Sequence, residues 1–146
     1  MARPRALFDT NLYIYFLLSR DPAGTAVGFA LQAASQRAFD LLLPDDVIAE
    51  LGAVVARRAY LNVRIGHERL DTLLERLLEF ATRIPVFEEE PPQGSRDPED
   101  DYLLALAVFH AADYIVTRDR DLLSLGEVVG VKIVDPVGFV AVLRSE

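Results

Sequence analysis

Short apolar runs alternate along the chain with longer segments of helical periodicity. The apolar runs predict buried strands at residues 5–8, 39–43, 84–87, 114–117 and 131–134. The segments between them predict helices at residues 11–19, 25–37, 44–58, 68–82, 98–112, 122–125 and 136–143. Strands that alternate with helices are typical of βαβ units. We therefore expect an α/β fold around a parallel sheet.

Two segments are especially clear, and one is not. Residues 68–82 carry leucines at the three-and-four spacing of one helix face: Leu70, Leu73, Leu74, Leu77 and Leu78. Asp97 before Pro98 predicts a helix start, with an N-cap carboxylate and a proline at the first helical position. Residues 57–66 have no clear period, so we expect a polar connection there.

Length and composition bear on the number of domains, and net charge bears on the kind of partner. The 146 residues favour a single domain over 1–146, and 51% hydrophobic residues suffice for a sizeable core. The net charge of −8, from 15 Lys and Arg against 23 Asp and Glu, argues against a nucleic-acid partner. Nucleic-acid binders usually carry a basic surface. Whether that objection holds depends on where the acids lie.

The scarcity of thiolate and imidazole ligands limits the kinds of metal site that the chain can form. The chain has no cysteine, which excludes disulfides and thiolate sites, and only His67 and His110, which disfavours a multi-histidine zinc site. No run of about 18 apolar residues occurs, and Asp9 and Asn11 interrupt the first apolar stretch. We expect a cytoplasmic protein with no membrane segment.

Carboxylates fall where a parallel sheet would bring them together. Asp9 ends the first predicted strand, Asp119 follows the fourth, Glu50 lies on the helix 44–58, and Asp100 and Asp101 lie in the first turn of the helix 98–112. Ligands of open α/β sheets bind at the carboxyl ends of the strands. Clustered carboxylates need a countercharge, and hard divalent cations such as Mg²⁺ and Mn²⁺ provide one.

Each of these acids also has an ordinary structural explanation. Asp9 is suited to cap a helix, and Glu50 to lie in solvent or pair with an arginine. Acids in a first helical turn are favoured by the helix dipole without any function. Asp119 and Asp121, with Arg118 and Arg120, are compatible with a surface charge cluster. The order of the four acidic segments along the chain favours a common site.

Four segments in that order resemble the PIN-domain ribonucleases, including the toxins of VapC-type toxin–antitoxin pairs. They are FDTN at 8–11, DDVIAEL at 45–51, DPEDDYLLA at 97–105 and IVTRDRDLL at 115–123. The resemblance extends over nearly the whole chain, and the acid-rich third segment is most similar to a PIN subfamily described as toxin components.

The resemblance implies a three-layer α/β/α sandwich and a metal-dependent endoribonuclease with a preference for single strands. It implies that the following acids are catalytic and hold Mg²⁺ or Mn²⁺: Asp9, Glu50, Asp101 and Asp119. Asp100, one residue from Asp101, remains an alternative third ligand, and Asp121 is an accessory one. Thr10, Asn11, Thr117 and Arg118 would orient the ligands or the phosphate. The implied partners are an RNA substrate, a cognate antitoxin and a second copy of the chain.

Three other functions are weighed against this one. A PIN-like domain that binds RNA or protein without turnover has the same fold. A phosphatase of the haloacid-dehalogenase type needs an Asp two residues after the nucleophile, where this chain has Asn11, and a lysine for which Lys132 is a poor candidate. A response-regulator receiver domain needs an acidic pair after its first strand, where Asp9 stands alone.

Overall fold

The computed structural model of the chain describes residues 3–85 and 98–145, with the backbone alone at residues 98–101. The strands within these ranges are β1 (Arg5–Phe8), β2 (Asp40–Pro44), β3 (Thr82–Ile84), β4 (Tyr114–Val116), β5 (Glu127–Val128) and β6 (Val131–Val134). The helices are α1 (Thr10–Leu18), α2 (Ala26–Ser35), α3 (Asp45–Arg57), α4 (Ala59–Arg64), α5 (Gly66–Phe80), α6 (Pro98–Phe109), α7 (Arg120–Leu123) and α8 (Pro136–Arg144).

The strands form one six-stranded sheet in the order β3-β2-β1-β4-β6-β5. Every neighbouring pair is parallel except β5 with β6, which is antiparallel at the edge. In the middle of the sheet, Leu7 of β1 lies between Leu42 of β2 and Ile115 of β4. The predicted α/β fold with a central parallel sheet is confirmed.

Helices cover both faces of this sheet. Successive residues of a strand point to opposite faces, so Ala6 and Phe8 pack into one apolar cluster with α1, α2, α3, α5 and α8. Leu7 points the other way, into a second cluster with α6 and α7. The leucine stripe of α5 enters the first cluster through Leu70, Leu73 and Leu77. The three-layer α/β/α arrangement follows from these two clusters.

The structure corrects several predicted boundaries. The segment 57–66, predicted as a polar connection, contains the helix α4, which buries Leu61 completely. The short helix predicted at 122–125 is α7, which begins at Arg120 because Asp119 caps it. The third strand lies at Thr82–Ile84 rather than at 84–87, of which residues 86 and 87 lie outside the described ranges. Strand β5 was not predicted.

None of the helices that the structure describes is both long and apolar enough to cross a lipid bilayer.

Candidate functional site

Asp9 and Asp119 lie at the carboxyl ends of the neighbouring central strands β1 and β4. Asp9 directly follows β1, and its backbone N–H donates to the carbonyl oxygen of Val116 across the strand pair at 3.0 Å. Asp119 lies three residues beyond the end of β4. Each of the two is also the N-cap of the helix that follows, Asp9 of α1 and Asp119 of α7. The capping explanation is therefore correct for Asp9, and Asp119 has a capping role that was not predicted for it. Neither cap excludes a second role.

Thr117 joins the two acids from below. Its hydroxyl donates to Oδ2 of Asp9 at 2.8 Å and accepts from the backbone N–H of Asp119 at 3.0 Å. The residue is completely buried. Since one hydroxyl has a single proton, these two bonds use it in a fixed direction. Thr117 thus sets the positions of both acids relative to each other.

The position of Asp9 is electrostatically costly. Burial raises the pKa of its carboxyl, and the negative charge of Asp119 raises it further, while the hydrogen bond from Thr117 acts in the opposite sense. Among the described residues, no cation lies within salt-bridge distance of either carboxylate. The hydrogen bond that Asp9 Oδ1 accepts from the backbone N–H of Asn11, which caps α1, is long at 3.4 Å and therefore weak. Capping alone does not account for a half-buried carboxylate beside a second one.

Glu50 is tied to the same neighbourhood through Thr10. The Thr10 hydroxyl donates to Oε2 of Glu50 at 3.0 Å, and Thr10 is 5% exposed. Thr10 is the residue after Asp9 and the first residue of α1. Glu50 lies on α3, which packs against α1. The structure therefore pairs Asp9 with Asp119 and links Glu50 to this pair through Thr10.

The third acidic segment is described only in part. Asp97 lies outside the described residues, and the side chains of Asp100 and Asp101 lie outside them as well, although both residues belong to α6. The next residue, Tyr102, donates its hydroxyl to Oδ2 of Asp46 on α3. Because Asp46 lies one helical turn before Glu50, this contact places the start of α6 beside the helix that carries Glu50.

The remaining predicted residues lie around this cluster in different ways. Asp121 is exposed in the first turn of α7, and its backbone N–H donates to Oδ1 of Asp119 at 2.9 Å. The Asn11 side chain is exposed on α1. The exposed guanidinium of Arg118 lies over the ring of Tyr15, with 4.3 Å between its central carbon and the ring centroid.

The comparisons with known proteins bear on this arrangement. The family model of the PIN domain matches residues 5–121, which include every acid discussed above. The chain belongs to the PIN domain family. No curated protein matches the chain. Among solved structures, the crystal structure of PAE2754 from Pyrobaculum aerophilum superposes with a TM-score of 0.57 at 17% identity, covering 100% of this chain and 92% of that one. At this identity, the likeness shows the fold alone.

PIN domains are generally nucleases that use divalent metals. The question for this PIN domain is whether its side-chain donors suit a divalent metal ion. The donors are carboxylate oxygens, which suit the hard cations Mg²⁺ and Mn²⁺. The raised pKa of Asp9 indicates a place where a positive charge is favourable. Within the part of the chain that the structure describes, no three acidic or histidine side chains are gathered closely enough to hold an ion. The donors present suit such an ion chemically, although Asp9, Glu50 and Asp119 do not by themselves form a complete ligand set.

Three residues near the carboxylates were not predicted from the sequence: Tyr15, Asp46 and Tyr102. Asp46 and Tyr102 lie next to predicted site residues, but nothing in the sequence indicates that their side chains meet. Tyr15 lies one helical turn after Asn11, so it shares the exposed stripe of α1 with a predicted site residue. That spacing was the one available signal.

A separate groove lies between α1, α2 and α5 of this PIN domain, with a volume of about 970 Å³. Apolar side chains such as Phe16, Phe29 and Leu73 line it, and Arg69 and Glu68 lie at its edge. None of the predicted site residues lines it. The groove is therefore a feature distinct from the carboxylate cluster.

Proposed function

We propose that this PIN domain is a metal-dependent endoribonuclease that hydrolyses RNA phosphodiester bonds. The observation that carries the proposal is the half-buried pair of Asp9 and Asp119 at the carboxyl ends of β1 and β4, where the Thr117 hydroxyl binds the carboxylate of Asp9 and the backbone N–H of Asp119. Two neighbouring carboxylates with no cationic side chain beside them are unfavourable, unless a bound cation compensates their charge. We also propose that residues 1–146 form one domain, since both apolar clusters draw on elements from the two halves of the chain.

Asp9, Glu50 and Asp119, together with Asp101 or Asp100, would hold one or two Mg²⁺ or Mn²⁺ ions, with Asp121 as an accessory ligand. Such ions lower the pKa of water and stabilise the charges of an in-line phosphodiester displacement. An oxygen-only donor set matches the absence of cysteine from the chain.

The residues around the acids would orient the reactants. Thr117 holds Asp9 and Asp119 at a fixed separation, and Thr10 holds Glu50. Outer hydrogen bonds of this kind typically matter about 10- to 100-fold for metal affinity or activity. Arg118 and Asn11, both exposed beside the cluster, are available to contact the phosphate.

The products would carry a 5′-phosphate and a 3′-hydroxyl. The alternative chemistry, attack by the 2′-hydroxyl, needs a base and an acid such as a histidine and a lysine near the phosphate. His110 lies at the opposite edge of the sheet, where its carbonyl oxygen accepts from the side chain of Arg5 at the start of β1. Lys132 pairs with Tyr114, the first residue of β4, which is also far from the carboxyl ends.

The resemblance to VapC-type toxins supports a finer proposal. The enzyme would act in the cytoplasm as the toxin of a toxin–antitoxin pair, as a homodimer held inactive by a cognate antitoxin. A small open reading frame beside the gene, encoding a protein that co-purifies with this chain and suppresses its RNA cleavage, is the expected finding. Cleavage that no neighbouring gene product suppresses would contradict the toxin role and leave the ribonuclease role standing.

The second candidate is a PIN-like module that binds RNA without cleaving it. A single experiment separates the two: a 5′-labelled single-stranded RNA is incubated with the protein in Mn²⁺ and, in parallel, in EDTA. The ribonuclease cleaves in Mn²⁺ alone and leaves fragments whose 5′ ends accept ligation without prior phosphorylation. Binding in Mn²⁺ without cleavage would contradict the enzyme and support the module.

A further inference from the structure

An exposed guanidinium lies over an exposed aromatic ring beside the carboxylate cluster. Tyr15 is 43% exposed, and the guanidinium carbon of Arg118 lies 4.3 Å from the centroid of its ring. Arg118 stands between Thr117 and Asp119 in the sequence, so its backbone belongs to the candidate site itself. The pair therefore lies at the rim of the cluster, where a strand entering it would pass.

The guanidinium of Arg118 donates no hydrogen bond to any residue that the structure describes. Among the described residues, its guanidinium has neither a hydrogen-bond acceptor nor a carboxylate within salt-bridge distance. Two acids, Asp119 and Asp121, lie within three residues of it along the chain. An arginine that lies over a ring instead of pairing with those acids can direct the N–H donors of its guanidinium to a ligand.

The stripe of α1 that carries Tyr15 leads away from the acids. Asn11 and Tyr15 are the exposed residues of successive turns, and Tyr15 lies about 9 Å along the helix axis from Asp9, given a rise of ~1.5 Å per residue. The surrounding chain is strongly acidic, with a net charge of −8. An uncommitted cation here favours an anion next to an aromatic surface, and a nucleotide has both an anionic phosphate and a flat base.

We propose that Tyr15 and Arg118 form a binding subsite for one nucleotide of a single-stranded RNA, whose base stacks on the pair and whose phosphate accepts from Arg118. The proposal rests on the proposed ribonuclease function, and it adds a platform that discriminates unstacked bases from duplex. Aromatic side chains and guanidinium planes are the surfaces on which proteins stack single-stranded bases. A stacked base contributes about 5- to 150-fold to affinity.

The alternative role for this contact is structural, as a tether between α1 and the segment before α7. An exposed cation–π pair contributes modestly to folding, and a tether does not distinguish RNA with bases from RNA without them. The test therefore compares a dye-labelled six-nucleotide RNA with the ribose-phosphate hexamer that lacks bases. Both are titrated by fluorescence anisotropy in Mn²⁺ against protein carrying Asp9→Asn, and probe integrity is checked on the same samples.

Four variants are made on that protein: Tyr15→Ala, Tyr15→Phe, Arg118→Gln and the control Tyr60→Ala, which removes an exposed tyrosine on α4. The base-dependent part of binding is the ratio of the two dissociation constants. We expect Tyr15→Ala to reduce this ratio at least about fivefold, while Tyr15→Phe and Tyr60→Ala leave it unchanged. We expect Arg118→Gln to weaken both strands and to lower the salt slope by about one.

A ratio that Tyr15→Ala leaves unchanged would overturn the subsite, as would an equal effect of Tyr60→Ala. Failure of the ribonuclease proposal gives a different result, because it appears as an RNA that the unmutated protein leaves intact in Mn²⁺. Binding ratios then still report whether the pair stacks a base.

Discussion

Among single residues, Asp9 shows most clearly how the candidate site works against the fold. Burial and the charge of Asp119 raise the pKa of its carboxyl, so folding without metal disfavours the ionised form of Asp9 relative to the unfolded chain. The stability that neutral Asp9 contributes is fully present below its unfolded pKa, about 3.9. It is lost as the pH rises through the higher pKa of the folded state.

Because the pKa of Asp9 is raised in the folded state, Asp9→Asn is predicted to stabilise the metal-free protein at neutral pH. Asparagine caps a helix as well as aspartate does, and it accepts from Thr117 without carrying charge. In EDTA at pH 7, we expect a melting temperature a few degrees higher than wild type, the scale of about 1 kcal/mol for a domain of this size. The difference should shrink as the pH falls towards 4.

Asp71→Asn is the matched control, because Asp71 is exposed on α5 and should show little difference at any pH. A lower melting temperature for Asp9→Asn than for wild type at pH 7 would contradict the electrostatic account of the site.

A second residue, Thr117, offers a test of positioning. Thr117→Val keeps the shape of the side chain but removes the donor to Asp9 and the acceptor for the N–H of Asp119. Leaving such groups without partners costs about 1–3 kcal/mol each when they are buried. We expect loss of stability on urea denaturation together with loss of RNA cleavage.

Thr117→Ser is the informative comparison, since it keeps both hydrogen bonds and loses one buried methyl group, at a cost of about 1 kcal/mol. We expect the serine variant to retain cleavage. Equal activity of the valine variant and the wild type would show that Thr117 does not position the acids.

The sequence allowed Asp9, Thr10, Thr117 and Asp119 to be predicted as neighbours, because residues at the ends of parallel strands share one edge of the sheet. It did not reveal the pairing of Tyr102 with Asp46 or of Tyr15 with Arg118. Those contacts depend on how a helix lies against another element, and neither periodicity nor spacing encodes that angle. Their discovery needed coordinates.

At the scale of elements, the hairpin of β5 and β6 explains why one strand was missed. Two residues connect the strands, Val129 at φ +49° and Gly130 at φ +84°. Positive φ at both positions is the backbone of a type I′ turn, for which Asn-Gly is the usual sequence signal. Valine in the first position hides that signal, since β-branched residues rarely adopt it.

Val129→Asn is therefore predicted to stabilise the protein. Left-handed backbone costs an L-residue about 1–2 kcal/mol, and asparagine tolerates it best after glycine. Val129 is 79% exposed, so little packing is lost. We expect a gain of about 1 kcal/mol in the free energy of unfolding from urea titration, with no gain for Val129→Thr. Equal stability of the two variants would contradict the assignment of strain to this turn.

Helix α4 was missed for a related reason. Its six residues, AYLNVR, are too short to display an amphipathic period, and among them the structure buries Leu61 alone. Tertiary packing, through Leu61 in the first apolar cluster, decides the conformation of such a short segment. The leucine stripe of α5, in contrast, was predictable because its period repeats over about two and a half turns, from Leu70 to Leu78.

At the scale of the whole molecule, the net charge of −8 acquires a local meaning. In the proposed site, acids at the carboxyl ends of the strands would act as ligands for a cation, while Arg118 and Arg120 lie exposed in the same segment. We expect RNA affinity to be modest without metal and to rise with Mn²⁺, because a bound cation reverses the local sign where the phosphate lies. If the proposed function is correct, the global charge is a poor guide to the substrate and a useful one to the cofactor.

The most direct test of the account is the initial rate of single-stranded RNA cleavage in Mn²⁺, measured side by side for wild type, Asp9→Asn and Asp71→Asn. Loss of an outer partner of a metal ligand typically costs about 10- to 100-fold, and loss of a ligand should cost at least the upper figure. We predict a fall of about a hundredfold or more for Asp9→Asn, in a protein that is folded by circular dichroism, and a wild-type rate for Asp71→Asn. Undiminished cleavage by folded Asp9→Asn would contradict the account.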